Sequence, residues 1–186
     1  MATTRYDKLL VTHAQALRRK YGAGGYDAVR DALDLLVKAD AARGLRSRVL
    51  LLDNAQSMRA IGTAKVADGD WVATLRAVDL ACTRYTPAYL ALVGATDVVP
   101  QAQVHNPVAV DDPDPYVPSD LPFACDLPDS WTGPAGGAGD RLSAGDLLAV
   151  TRVVGRIPDL VGATDPAVLL DVLATAAAYT QRPAAS

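Results

Sequence analysis

The sequence predicts an α/β protein: a three-layer fold with a mostly parallel sheet of about four strands. Three observations predict it. Short apolar runs recur at Lys8–Thr12, Val49–Asp53, Ala88–Gly94 and Leu147–Ile157, and the second is too apolar for a sheet wetted on one face. Helical apolar stripes fall between the first three runs and after the last. The chain has 186 residues, 50% apolar and 21% charged, which suits one domain with a real core over residues 1–186.

Each element has its own signal. Lys8–Thr12 is a short buried strand. Asp27 to Arg43 carries Val29, Leu33, Leu36 and Val37 on one helical face and is stopped by Gly44. Ahead of it, Gly22 to Gly25 reads as a linker between a helical turn and that helix. A phosphate loop would need a preceding strand and a following lysine and hydroxyl residue. Val49–Asp53 is the second strand, and Ala55 to Ala60 a weak helix ending at Gly62. Asp70 opens a longer helix with Trp71, Leu75, Val78 and Cys82 on one face, closing near Tyr85. Ala88–Gly94 is the third strand, followed by an acidic turn at Asp97.

The region 100–140 changes character. Eight of the twelve prolines lie between Pro100 and Pro134, which predicts a long loop rather than sheet core. Gly133 to Gly139 reads as a flexible excursion, and Phe123 and Trp131 as anchors that pack the loop down. Leu147–Ile157 is the fourth strand, rich in β-branched residues and stopped by Pro158. Thr164, Asp165 and Pro166 start a final helix with Leu169, Leu170, Leu173 and Ala177 on its buried face, ended by Pro183.

Composition excludes several functions. The net charge of −3 leaves no basic footprint for nucleic acid or an anionic membrane. No apolar run approaches the roughly 20 residues of a membrane span, and the first eight residues lack a secretory leader's apolar core. The expected location is cytoplasmic. All 21 acidic residues are aspartate, a better cap and turn residue than helix former. Two cysteines and two histidines give neither a disulfide framework nor a histidine-rich metal site, and no cofactor or metal is expected.

Few residues can carry chemistry. His105 and Cys125 are the one pair suited to thiolate catalysis, since a neighbouring imidazolium lowers a thiol pKa. Both lie in the proline-rich loop rather than at the ends of parallel strands, so they are weak catalytic candidates. His13, at the end of the first strand, is placed to face the same edge, while Cys82 on a helix face reads as core. Asp53 closes a strand as a phosphoacceptor would, but the acidic partners after the first strand are missing, so it reads as a turn or cap. Asp111, Asp112, Asp114 and Asp120 lack calcium-loop spacing and read as turn residues that cap their own backbone.

The run Tyr89-Leu-Ala-Leu-Val-Gly-Ala-Thr-Asp-Val-Val-Pro100, then Pro118-Ser-Asp-Leu-Pro-Phe123, then Val154-Gly-Arg-Ile-Pro158 and a helix, resembles the gingipain-like cysteine peptidases of the caspase-like clan. The likeness spans about residues 6 to 182. In that family the catalytic histidine, in a His-Gly motif, and the cysteine end strands of a second α/β unit beyond the last helix. No His-Gly dipeptide occurs in this chain.

The resemblance therefore implies the first, non-catalytic subdomain. Its expected partners are a downstream catalytic subdomain and, through it, a peptide or protein substrate, with Ser119, Asp120 and Asp97 as substrate-cleft candidates. The alternative is a stand-alone binding or adaptor module descended from such a peptidase. A small enzyme using His105 and Cys125 is the third reading. Under the first, the last strand should present an edge made for a neighbour, and the isolated chain should self-associate.

Overall fold

A computed structural model describes residues 5–106, 108, 113–128, 131, 142, 147 and 149–180. Four parallel strands form the sheet: β1 (Lys8–Thr12), β2 (Ser47–Leu51), β3 (Tyr89–Val93) and a later one, Val153–Ile157. Between β3 and that last strand, β4 (Ala102–His105) and β5 (Tyr116–Ser119) make a separate antiparallel pair. The last strand is thus β6, and the main sheet runs β2-β1-β3-β6. The fold class is the three-layer α/β arrangement that the alternating pattern predicts.

Helix α1 (Ala14–Ala42) crosses from β1 to β2, and α2 (Ala55–Ala60) and α3 (Trp71–Tyr85) lie between β2 and β3. Helix α4 (Ala167–Ala178) follows β6 and packs on α1, while α3 contacts β4 and the 3-10 turn Leu121–Ala124. Right-handed crossovers to either side of β1 put these helices on opposite faces of the sheet. Leu9, Leu10, Val11, Leu50, Leu90 and Leu92 are buried at its centre. No helix among the described residues is long and apolar enough to cross a membrane.

Several boundaries differ from those expected, each for a physical reason. Helical structure begins at Ala14, well before Asp27: α1 consists of two helical segments that meet at Gly22, whose backbone (φ 72°, ψ −178°) is not helical. The expected glycine break is present at Gly22, and residues 14–21 form a full helical segment before it. The fourth strand is confined to Val153–Ile157, since Thr151 and Arg152 donate instead to Ala124 O beside the 3-10 turn.

The proline-rich region is not all loop. Its β4–β5 pair accommodates Pro118 opposite Gln103 at the margin of a two-stranded sheet. Phe123 is buried, and Trp131 packs against Trp71 and beneath Arg76. Gly133 to Gly139, Asp111, Asp112 and Pro183 lie outside the described residues.

Candidate functional site

Parallel α/β sheets present reacting groups beyond the C-terminal ends of their strands. At the end of β1, Thr12 Oγ1 donates to Val93 O (2.9 Å), stitching β1 to β3. His13 is the N-cap of α1: its Nδ1 accepts from Ala16 N (3.2 Å), so Nε2 carries the hydrogen it shares with Val66 O (3.2 Å). Asp53 accepts from Ala14 N (2.9 Å) and Gln15 N (2.8 Å). The first-turn donors that could hold an anionic ligand are thus taken by the chain's own carboxylate. Asp53 is a helix cap.

At the ends of β3 and β6 the two most distinctive sequence motifs meet. The Arg156 guanidinium donates from Nε to Asp120 Oδ2 (2.9 Å) and from Nη2 to Oδ1 (2.6 Å). Its Nη1 donates to Gly94 O (3.0 Å) and Val99 O (2.9 Å). One side chain therefore joins β6, the end of β3, the turn after it and the segment following β5. Gly94 makes this closeness possible: its φ is +110°, and a Cβ there would lie 2.8 Å from Val98 Cβ. Asp120 thus sits at the C-terminal edge of the sheet, and beside it Ser119 Oγ accepts from Leu121 N (3.1 Å).

Asp97 belongs to a second cluster on the same edge. Lys20 on α1, with a side chain 4% exposed, donates to Asp97 Oδ1 (2.8 Å), Asp159 Oδ2 (2.9 Å) and Leu160 O (2.7 Å). Tyr21 donates its hydroxyl to Asp159, whose side chain is fully buried. Asp97 Oδ2 accepts from Gly162 N (2.9 Å). Burial alone would raise the Asp97 pKa; the bonds from Lys20 and Gly162 outweigh it and hold that pKa below the ordinary carboxylate value.

His105 and Cys125 are not brought together. The His105 ring packs edge-on against Tyr116, with centroids 5.6 Å apart, at the end of β4. Cys125 ends the 3-10 turn, buried beside Arg152, whose Nη2 donates to Cys125 O (2.8 Å) and also pairs with Asp126. Burial raises the Cys125 thiol pKa and pushes Cys82 up to about 11, the reverse of nucleophile activation. Both cysteines are free thiols.

Asp120 and Asp97 have both oxygens bonded to donors, and Ser119 Oγ accepts from a backbone N–H. No group of three histidine, cysteine or acidic side chains among the described residues could hold a metal ion. The Asp114 carbonyl accepts from Asn106 Nδ2 (2.8 Å).

Sequence reasoning singled out Asp97 and Asp120 but missed Lys20, Asp159 and Arg152. Arg156 stood within a quoted motif, and its partner could have been sought among the aspartates after β5. Lys20 gave no signal, because its partners come from turns far along the chain. No protein-family model, curated protein or solved structure matches this sequence.

Proposed function

We propose that this chain is the non-catalytic, sheet-building portion of a caspase- or gingipain-like cysteine endopeptidase. The observation that carries the reading is the Asp120–Arg156 pair. The Ser119-Asp120 and Gly155-Arg156 motifs, which bear the resemblance, join across the C-terminal edge of the sheet. Their role in this reading is to fix the loops that flank a substrate cleft, with Asp97 braced alongside. The histidine and cysteine of the reaction come from a neighbouring α/β unit that continues the sheet beyond β6. Peptide or protein is the substrate class of that assembly. The reading includes a cytoplasmic location, supported by two cysteines that are unpaired and buried.

The test is hydrolysis of Arg-, Lys- and Asp-type peptide substrates by the 186-residue chain. The expected result is no turnover above buffer. Turnover that disappears in Cys125→Ala would assign catalysis to this chain and overturn the reading.

A further inference from the structure

The starts of β1 and β3 and the C-terminal ends of α1 and α4 enclose a cavity of about 880 Å³. It lies at the end of the sheet opposite Asp97 and Asp120, and no residue of β6 lines it. Most of its wall is apolar: Tyr89 and Tyr179, both exposed, stand with Leu45, Val172 and Ala176. The rest is ionic. The Asp40 carboxylate, 1% exposed, pairs with Lys8 Nζ and accepts from Arg43 Nη2 (2.5 Å) and Ser47 Oγ (2.5 Å). Burial alone would raise its pKa; the bonds from Lys8, Ser47 and Arg43 outweigh it and hold that pKa below the ordinary carboxylate value.

Two cations, Lys8 and Arg43, against one carboxylate leave this cluster with one positive charge in excess. Arg43 is turned to the backbone: its Nη1 donates to Ala176 O (3.1 Å), Ala177 O (3.3 Å) and Tyr179 O (2.8 Å), closing the end of α4. Lys8 has capacity left. An ammonium carries three donors, and among the described residues Asp40 takes one of them.

We infer that this cavity binds a small amphipathic carboxylate, its head on Lys8 and its apolar body against Tyr89, Tyr179 and the wall formed by α4. Three features select that chemistry. The volume falls within the range of about 300–1,000 Å³ for small-molecule sites, which are likewise mostly apolar with a few converging polar groups. One excess positive charge matches one negative charge. A dianion such as a phosphate ester is disfavoured, because α1 and α4 both turn their partly negative C-terminal ends to the cavity and the Arg43 fork is already bonded. The peptidase reading gives this end of the sheet no role, and the site stands whether or not a neighbour joins at β6.

The experiment titrates the 186-residue chain with naphthoate, with its neutral analogue naphthalenemethanol and with naphthyl phosphate. The backbone amides of Lys8, Tyr89 and Thr175 are followed by nuclear magnetic resonance. Naphthoate should shift them saturably, with a Kd on the order of 1 mM or below. It should bind roughly threefold or more tightly than either analogue. Lys8→Met abolishes the preference for the carboxylate over the alcohol. Thr175→Glu, at an exposed position lining the cavity, sets a like charge beside the ligand and weakens naphthoate more than the alcohol. If circular dichroism shows that Lys8→Met has lost its fold, Thr175→Glu decides. Equal affinity for carboxylate and alcohol overturns the inference, as does tighter binding of the phosphate ester. So does the lack of a saturable shift at these amides, or an unchanged preference in a folded variant.

Discussion

Replacing Lys20 with methionine tests whether the C-terminal edge is held by a buried ionic cluster. The substitution keeps the aliphatic stem and removes a cation bonded to Asp97, Asp159 and Leu160 O. Asp159 has no exposed side-chain surface, and Asp97 retains about a quarter of its own. Removing one partner of a buried pair typically costs about 3–5 kcal/mol, because the remaining charge stays out of water uncompensated. The partial exposure of Asp97 sets the expectation at the lower end, about 3 kcal/mol, or roughly 6–12 °C in Tm for a chain of this size.

The pH dependence has a definite sign. The folded Asp97 pKa is held below its unfolded value, so its contribution is complete above the unfolded value and lost as pH falls through the folded one. Lys20→Met lacks the share of that contribution that Lys20 supplies, while the Gly162 bond stays. The gap between the two proteins should therefore narrow as pH drops through the carboxylate range. Urea unfolding at neutral pH and at about pH 2.5, well below the ordinary aspartate value of about 3.9, measures it. A deficit under about 1 kcal/mol at neutral pH, as for an exposed pair, or one that does not narrow with acid, would refute the cluster's role.

Further substitutions probe the other joints. Asp53→Ala removes the acceptor for the first two amides of α1 and should cost about 0.5–2 kcal/mol in urea unfolding. Gly94→Ala imposes a Cβ on a positive φ and on Val98, and should lower stability by on the order of 1–3 kcal/mol. The native thiols of Cys82 and Cys125, both buried and raised in pKa, should resist alkylation at neutral pH and react on unfolding; mass spectrometry with and without denaturant reads this directly.

Much of the fold was legible because the strands announce themselves. Leu9-Leu10-Val11 and Leu90 to Val93 are apolar without alternation, as strands buried on both faces must be. Asp70 and Asn54 sit at the N-caps that their side chains favour. The first segment of α1 was hidden because Gln15, Arg18, Arg19 and Lys20 give no apolar stripe, while Gly22 and Gly24 suggest a break. The β4–β5 pair was hidden by Pro118, which a two-stranded sheet admits and a central strand would not.

The site was half legible. Asp97 and Asp120 follow strand ends, where charge is worth attention, but what binds each is set by tertiary approach. Lys20 reaches residues that local pattern cannot connect to it, and Arg156 reaches Asp120 only because the 3-10 turn after β5 packs beside β6. The same limit applies to Cys125. Its residue type suggested reactivity, and only its burial, which raises the thiol pKa, speaks against it.

A double-mutant cycle on Asp120 and Arg156 tests most directly the claim that these two motifs act as one structural joint. Asp120→Asn, Arg156→Met and the double variant are compared with the parent by urea unfolding. The bidentate pair, with side chains 25% and 14% exposed, should give a coupling energy of about 1–3 kcal/mol. A coupling below about 0.3 kcal/mol, within the additivity of independent sites, would contradict the account.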